Sequence, residues 1–558
     1  MTTANNPVPN FYRASSKDFK KIPGSPIAYW VSEKFVNPFT VAKEFIHDLT
    51  ISDGQTKTGD NDRFLRQHWE ISSKKVGING KWWQHPKGGP YRKWYGNVDW
   101  VIDWSDDARR HYRKDRVARI LPEYLWGEKG ISWTLITSGE ISFRILERNQ
   151  IFNLAAPSLF FRDENNIEMC LGFLNTKYVL KILKVINPTL NMNVGEVRCL
   201  PLLDSIDSVK VEIKKIVDEC LFLAKSDWDS YETSLDFKTL PLLSPKYKSP
   251  TIKETYAKLQ SHWQKMALET QKLEEENNRI FIEAYGLEDE LTPDIPLSDI
   301  TLTCNPHYRY GGNKSKEELE ALLLKDTIKE LISYAVGCMF GRYSLDKTGL
   351  ILANQGETRK DYLEQIPEPT FMPDEDNILP ILDDEYFSDD IVSRFKDFLK
   401  ITFGKETLAT NLEFIAKALT GRSTGSPEKA IRDYFIKQFY KDHVQTYKKR
   451  PIYWMFSSGK NQGFNALIYM HRYDKSTLAK MRTDYLLELE SKLIAEVEML
   501  SQDTTQNKAR LTKIKNQIEE MKKYDELLNN KALSLIEIDL DDGVKVNYAK
   551  FEGLVKGI

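Results

Sequence analysis

The side chains best suited to bind a ligand lie in one stretch, residues 81–95, with the sequence KWWQHPKGGPYRKWY. It combines five aromatic rings, four cations and a Gly-Gly turn, without any acid: Lys81, Trp82, Trp83, Lys87, Gly88, Gly89, Tyr91, Arg92, Lys93, Trp94 and Tyr95. Rings stack on bases or pack on sugars, cations meet phosphates or read guanine, and glycines allow close backbone approach. Because a core cannot accommodate all these rings with their interleaved cations, we expect a nucleic-acid contact. A carbohydrate or protein surface, or rings that fix the loop itself, are the alternatives.

Further cations flank this stretch. Arg63 and Arg66 follow a polar turn, residues 58–62, and are candidate DNA contacts. Asp106 and Asp107 are expected to cap a helix with arginines on much of one face. Its arginines are Arg109, Arg110, Arg113, Arg116 and Arg119. We expect phosphate contacts from the first three, unless nearby aspartates pair with them.

A basic loop before a strand provides a second expected contact with DNA. It contains Lys448, Lys449 and Arg450.

Motifs for nucleotide binding and for metal binding are absent from this sequence. It contains no GxGxxG or GxxxxGK[ST] motif. Its histidines have no second ligand at metal-binding spacing, so we interpret them as satisfied polar residues. The five cysteines form no CxxC pair and are expected to be reduced thiols in the core. The acids of residues 374–385 indicate a solvated loop rather than a cation site. We therefore expect no catalytic residue, no metal and no cofactor in this chain.

The length of 558 residues requires several domains. Changes of pattern predict an α+β multidomain protein, in which a β-rich domain precedes helical domains and a long antiparallel helix pair. The predicted segments are a linker at 1–45, the β-rich domain at 46–205, a helical spacer at 206–300, a mixed α/β domain at 301–475 and a helical hairpin with a terminal segment at 476–558. The N-terminus lacks signal-peptide features and no apolar run reaches membrane-spanning length, so we expect a cytoplasmic protein.

Several ordered motifs together resemble one family. They are residues 22–30 (IPGSPIAYW), 58–64 (TGDNDRF), 87–96 (KGGPYRKWYG), 187–191 (NPTLN), 341–346 (GRYSLD), 448–454 (KKRPIYW) and 541–548 (DDGVKVNY). The pattern is similar to the C-terminal half of PglX adenine-specific DNA methyltransferases, which belong to bacteriophage-exclusion (BREX) systems. Residues 174–177 (LNTK), followed by 200–202 (LPL), also resemble the end of target-recognition domains in restriction–modification enzymes.

The resemblance implies methylation of adenine N6 with S-adenosylmethionine at a short double-stranded DNA site. That chemistry needs a cofactor loop and an Asn-Pro-Pro-Tyr motif that receives a flipped adenine. This sequence has no Pro-Pro dipeptide, and its nearest segments are residues 37–40 (NPFT) and 305–308 (NPHY). Residues 1–45 are then expected to be the end of a methyltransferase domain, separated by experimental truncation, a split gene or natural truncation.

Three functions remain open at this stage. The first is a DNA-specificity module that is inactive alone. The second is a methyltransferase subunit whose catalytic half is supplied in trans. The third is an interaction platform for other BREX proteins or for a phage inhibitor.

Overall fold

The computed structural model describes residues 16–558, so residues 1–15 of the predicted linker lie outside it. The described chain divides into two compact units. The first unit contains the described residues up to Phe64, Lys81–Trp228 and Trp263–Gly311. The second unit contains Leu65–Gly80, Asp229–His262 and Gly312–Ile558. Small antiparallel sheets and many helices confirm the α+β class predicted from the sequence.

A four-stranded antiparallel sheet lies at the centre of the first unit. Its strands follow the order Thr50–Ile51, Ser158–Phe161, Gly130–Trp133 and Phe143–Leu146. Every residue of the last three strands is buried, so the sheet is covered on both faces. Two further antiparallel pairs join Glu44–Phe45 to Pro201–Leu202 and Trp82–Gln84 to Trp100–Asp103.

Helices surround these strands. The first unit contains Ser16–Phe19, Glu33–Val36, Pro38–Val41, Ile46–Leu49, Asn61–Phe64, Asp106–Lys114, Ile167–Leu174, Lys177–Ile186, Val194–Arg198, Lys210–Trp228 and Pro306–Tyr310. It also contains the helix Ile252–Ala284 from Trp263 onward. Lys210–Trp228 buries Ile213, Val217, Cys220 and Ala224, whose spacing of three or four places them on one face.

The second unit is mostly helical around a three-stranded antiparallel sheet. The strands lie in the order Leu379–Pro380, Asn465–Tyr469 and Tyr453–Ser457. The α-helices are Lys316–Met339, Arg359–Gln365, Ile391–Phe403, Leu408–Thr420, Pro427–Tyr434, Tyr440–Thr446, Thr477–Lys480, Leu487–Leu500, Thr504–Leu533 and Gly543–Ala549. Phe435–Phe439 and Met481–Leu486 are π-helical turns. This unit also includes the short strand Leu65–Gln67 and the start of Ile252–Ala284.

The long helix pair predicted near the end of the chain is confirmed. Leu487–Leu500 and Thr504–Leu533 pack together, with Leu489, Leu493 and Ile514 buried. Cross-helix ion pairs match an antiparallel arrangement: Arg482 with Asp525, and Arg510 with Glu496.

The apolar segment 169–187 forms two helices rather than one, Ile167–Leu174 and Lys177–Ile186. The break occurs because Thr176 caps the second helix through its side chain, and the Asn175 side chain bonds instead to the Phe143 backbone.

Residues 27–31 and 536–551 contain no strand, and the latter segment includes the helix Gly543–Ala549. All five cysteines are free thiols, and four of them are buried as expected, whereas Cys199 is half-buried. Within residues 16–558, no helix has the length and apolar character needed to cross a membrane.

Candidate nucleic-acid interface

Most of the predicted contact residues lie in the stretch 81–95, which comprises Lys81, the strand Trp82–Gln84 and the first part of the loop that leads to the strand Trp100–Asp103. The structure buries five of them: Trp82, Arg92, Lys93, Trp94 and Tyr95. Five others are half-buried: Lys81, Trp83, Lys87, Gly88 and Tyr91. Gly89 is exposed. The core thus holds three of the five rings and two of the four cations, and buried acids from distant segments neutralise those two cations.

Arg92 forms the first of these buried ion pairs. Its Nη1 lies 3.3 Å from Oδ2 of Asp227, whose side chain is 0% exposed. The same carboxylate accepts hydrogen bonds from the backbone N–H groups of Thr303 (2.6 Å) and Cys304 (2.8 Å). The guanidinium also donates to Thr303 Oγ1 and lies 5.0 Å from the centre of the Trp228 ring. Both charges are thus paired and hydrogen-bonded, as burial of a charge requires.

Lys93 and Trp94 share a second buried acid, Glu274. Lys93 Nζ donates to Oε2 of Glu274, and Trp94 Nε1 donates to Oε1 at 2.7 Å. Burial lowers the pKa of Lys93, but the Glu274 carboxylate and Tyr91 outweigh it, and the net pKa is raised. The Lys93 N–H donates to Thr301 Oγ1 at 3.0 Å. Direct contact of Arg92 or Lys93 with DNA would require these pairs to open, so both residues hold the loop in the observed structure.

The loop backbone is also fixed. Trp94 adopts φ 67°, and it exchanges hydrogen bonds with the sheet edge: its N–H donates to Phe143 O (3.0 Å) and its carbonyl accepts from Ile145 N (2.8 Å). Gly96 has φ +127°, and a Cβ there would lie 2.5 Å from Arg92 Cδ and 2.8 Å from Trp228 Cε3. Only glycine fits this position without displacing the buried arginine.

His85 and Tyr91 are structural parts of the same loop. The ring nitrogens of His85 lie 2.5 Å from the Ile151 carbonyl oxygen and 2.9 Å from Asn153 Nδ2. Burial lowers the pKa of His85 to about 3, so the ring is neutral, as expected of a satisfied polar residue. Burial raises the pKa of Tyr91 to about 12, and its carbonyl accepts a hydrogen bond from Tyr308.

The arginine helix is shorter than predicted. It spans Asp106–Lys114, and its N-cap is Ser105, not Asp106 or Asp107. Those two aspartates instead pair with Arg109 and Arg110, as the alternative expectation allowed.

The remaining arginines of this run have different surroundings. Arg113 lies 2.6 Å from Glu123. Arg109 and Arg113 also lie over the Trp126 ring, at 5.2 and 5.9 Å from its centre. Arg116 and Arg119 follow the end of the helix and are exposed.

The other predicted contacts are divided between the units. Arg63 in the first unit is exposed and lies over the Phe64 ring, 4.7 Å from its centre. Arg66 belongs to the second unit, where it is buried and donates to the Asp541 carbonyl at 3.0 Å.

The basic loop of the second unit, residues 448–450, is partly exposed. Lys448 and Lys449 are exposed and adopt φ 51° and 58°. Arg450 is half-buried, with Nε 3.6 Å from Oε1 of Glu70, and its carbonyl accepts from Trp69 Nε1 at 3.0 Å.

Six cations form a surface of the first unit that we call the basic rim. They are Lys57, Arg63, Lys87, Arg110, Arg116 and Arg119. Lys57 and Arg119 exchange backbone hydrogen bonds at 2.9 and 2.8 Å. The ring of Phe64 packs on His111 and Tyr112, at 4.9 and 5.0 Å between centres. These contacts bring residues 57–64 beside the arginine segment.

Lys87 extends the basic rim toward the aromatic loop. Its Nζ lies 4.8 Å from the centre of the Trp100 ring. Burial lowers the pKa of Lys87, while the carboxylate of Asp62 acts in the opposite direction, which places Lys87 near residues 57–64. Lys57 was missed from the sequence because it stands alone before the polar turn.

Asp227 and Glu274 were also missed, although an acid on the apolar face of an amphipathic helix is a usable signal of a buried partner. Both lie on helices whose neighbouring residues at spacings of three and four are buried.

Two adenine-specific methyltransferases are similar to this chain over nearly its whole length. One is the adenine-specific methyltransferase BrxX of Escherichia coli O9:H4 (strain HS), 35% identical over 570 residues, or 98% of this chain and 46% of that protein. The other is the adenine-specific methyltransferase PglX of Lacticaseibacillus casei (strain Zhang), 36% identical over 588 residues, or 100% of this chain and 47% of that protein. The similarity agrees with the resemblance to adenine-specific methyltransferases of BREX systems that the sequence motifs indicated. The chain spans about half the length of these relatives. No protein-family model matches it.

The residues nearest to a methyltransferase motif do not fit a flipped adenine. Asn305 is buried, and its amide donates to the carbonyls of Leu297 (2.7 Å) and Ile300 (2.9 Å) while its oxygen caps His307 N. Tyr308 donates to the Tyr91 carbonyl. Because these groups already have partners inside the fold, the segment supports the loop, and no step of methyl transfer is assigned to it.

Proposed function

We propose that this chain is the sequence-specific DNA-recognition part of an adenine-N6 DNA methyltransferase of a BREX system. The first unit reads a short duplex site. S-adenosylmethionine and the flipped adenine bind to a catalytic half, whose motifs this sequence does not contain. That half and other BREX proteins are the expected partners besides double-stranded DNA, in the cytoplasm.

One observation carries the proposal: exposed cations lie beside a rigid aromatic loop, and the buried cations of that loop, Arg92 and Lys93, are neutralised internally. Asp227 and Glu274 cancel the charges of Arg92 and Lys93, so the positive potential at this surface comes from the basic rim. A surface of this kind attracts the phosphate backbone, and the loop does not need to open its buried ion pairs for this attraction. The relatives' names support adenine methylation as the activity to which this surface contributes.

The residues have different roles in this proposal. The basic rim contacts phosphates, and the half-buried Trp83, Tyr91 and the Gly88–Gly89 turn contact bases or sugars. Arg92, Lys93 and Trp94 position that turn. Lys448 and Lys449 provide a separate phosphate contact from the second unit. Arg109, Arg110 and Arg113 reach DNA only when their pairs with Asp106, Asp107 and Glu123 exchange for phosphate.

Salt-dependent binding to duplex DNA tests the proposal. Fluorescence anisotropy with a labelled duplex of about 30 bp should show affinity that falls steeply between 50 and 200 mM salt. The triple variant Lys57→Ala, Arg63→Ala, Arg116→Ala should bind at least about tenfold more weakly, with a log–log salt slope shallower by up to about 3. The matched control is Lys265→Ala, Lys272→Ala, which removes exposed lysines from the helix Ile252–Ala284.

The outcomes separate the possible functions. Equal loss of affinity in the control would mean that binding is not centred on the basic rim. No binding by the unaltered chain at 50 mM salt would exclude DNA recognition and favour the interaction platform. Methylation is tested by adding the other half of the PglX relative, expressed separately. Site-specific adenine methylation only in the mixture supports a catalytic half supplied in trans.

A further inference from the structure

A second surface with a defined chemistry lies entirely within the second unit. It is a groove of about 820 Å³ between the helices Lys316–Met339 and Leu408–Thr420, and we call it the lysine groove. Four lysines line it: Lys253, Lys314, Lys325 and Lys417. Its apolar side chains include Leu322, Leu324, Phe414 and Ala418, all half-buried. The volume is within the range of ligand-binding clefts, and the lining combines an apolar floor with charge.

The two helices present this lining because of their periodicity. Leu322 and Lys325 are three residues apart on one helix, and Phe414, Lys417 and Ala418 follow spacings of three and four on the other. Residues with these spacings lie on one face of a helix. Each helix therefore presents both apolar and cationic side chains to the groove.

The groove is preorganised by side-chain hydrogen bonds. Asn411 is 0% exposed and accepts a hydrogen bond from the backbone N–H of Ile252 at 2.9 Å, which fixes the start of the helix that carries Lys253. Ser315 and Glu318 form a capping box at the start of the other helix, with bonds of 2.8 and 3.2 Å. A partner would meet a formed groove and would lose little free energy in ordering it.

The charges of the groove favour an anionic partner. The two acids that line it are Glu318 and Glu413. The Glu318 carboxylate already accepts the N–H of Ser315 in the capping box, where the helix N-terminus stabilises its negative charge. Four lysines against two acids leave a net positive lining around an apolar floor.

We propose that the lysine groove binds an amphipathic helix of a partner protein, with an apolar stripe flanked by carboxylates. The apolar stripe packs on Leu322 and Phe414, and the carboxylates pair with the surrounding lysines. Helix-in-groove recognition uses apolar anchors at spacings of three and four, and the lining residues of both helices recur at the same spacings. A nucleic-acid backbone satisfies the lysines but leaves the apolar floor unfilled, so the floor favours a protein helix. This site is independent of the basic rim and of the proposed DNA recognition.

A designed peptide pair provides the test. The probe is a labelled helical peptide of about 18 residues, or five turns, with leucines on one stripe and glutamates on both flanks. The matched peptide replaces every glutamate with lysine. Fluorescence polarisation against the full chain should show binding of the glutamate peptide and at least about tenfold weaker binding of the lysine peptide.

Three variants locate the binding. Lys325→Glu with Lys417→Glu should weaken the glutamate peptide at least about tenfold and improve the lysine peptide. Ala418→Arg keeps positive charge but fills the groove, and it should weaken the glutamate peptide as well. The control Lys460→Glu, at an exposed lysine outside the groove, should change neither affinity by more than about twofold.

Several results overturn the proposal. One is equal affinity for the two peptides, and another is a glutamate-peptide affinity that Ala418→Arg leaves unchanged. A third result concerns a DNA duplex that carries as many negative charges as the glutamate peptide. The proposal fails if this duplex binds to the chain, if Lys325→Glu with Lys417→Glu weakens that binding, and if the duplex does not displace the peptide. That result would assign the lysines to nucleic acid. Loss of duplex binding on altering the basic rim leaves this proposal intact, because the two surfaces share no residue.

Discussion

The first unit contains two sets of cations, and their surroundings are opposite. Arg92 and Lys93 are buried and paired with carboxylates, whereas Lys57 and Arg116 are exposed at the basic rim. The buried set determines the shape of the aromatic loop, and the exposed set determines its electrostatic potential. Composition alone does not separate these roles, because the deciding factor is a distant acid.

Removing the acid of the buried set should have the largest effect on stability. Glu274→Ala leaves the Lys93 ammonium and the Trp94 indole N–H without their partner. We expect the free energy of unfolding to fall by about 3 to 5 kcal/mol, as for a broken buried ion pair. Urea unfolding followed by tryptophan fluorescence measures it. Glu269→Ala, on an exposed position of the same helix, is the control and should change stability by less than about 0.5 kcal/mol. Equal changes in the free energy of unfolding for the two variants would mean that the ion pair of Lys93 with Glu274 does not stabilise the fold.

A single methyl group in the loop should have the next largest effect. Gly96→Ala places Cβ against the Arg92 side chain and the Trp228 ring at a positive φ. We expect a loss of about 1 to 3 kcal/mol in the free energy of unfolding. Gly195→Ala is the matched control, because no atom lies within 4 Å of its Cβ position. Since Gly195 is in the helix Val194–Arg198, alanine there should be neutral or slightly stabilising. Destabilisation by both variants alike would contradict the clash.

The pH dependence of stability should distinguish His85 from an exposed histidine. Its pKa of about 3 in the fold lies below the ordinary 6.5, so unfolding takes up a proton between these values. The contribution of neutral His85 to the free energy of unfolding is complete above pH 6.5 and is lost as the pH falls toward 3. Between these limits, stability of the unaltered protein should fall with acid by up to about 1.4 kcal/mol per pH unit more than that of His85→Gln. His443 and His471 stay in both proteins and cancel in this difference. Parallel pH profiles would show that His85 is accessible to protons in the fold.

The smallest effect on stability, with a selective effect on binding, is expected at the basic rim. Lys57→Ala should change the free energy of unfolding by less than about 0.5 kcal/mol. If Lys57 contacts one phosphate, the log–log salt slope of duplex binding should decrease by about 0.9. Anisotropy titrations at several salt concentrations measure this slope. An unchanged slope would remove Lys57 from the interface, whereas lost stability would make it a structural residue.

Local patterns predicted the elements that depend on nearby residues. The pair Leu487–Leu500 with Thr504–Leu533 follows from apolar spacing within one segment. The surroundings of the aromatic loop depend on residues far along the chain. Asp227 lies 135 residues from Arg92, and Glu274 lies 181 residues from Lys93. No local pattern connects such pairs, and the family resemblance indicated a role for the stretch without indicating which of its residues are buried.

The side chain of Asn175 has a consequence for the behaviour of the protein in concentrated solution. Phe143–Leu146 is the last strand of its sheet, and such an edge readily pairs with another chain. Asn175 exchanges two hydrogen bonds of 3.0 Å with the Phe143 backbone, and Trp94 occupies the neighbouring backbone groups. One amide and one loop thus cover an open β-edge. Detachment of the loop would expose this edge, so variants that loosen it should aggregate before they unfold completely.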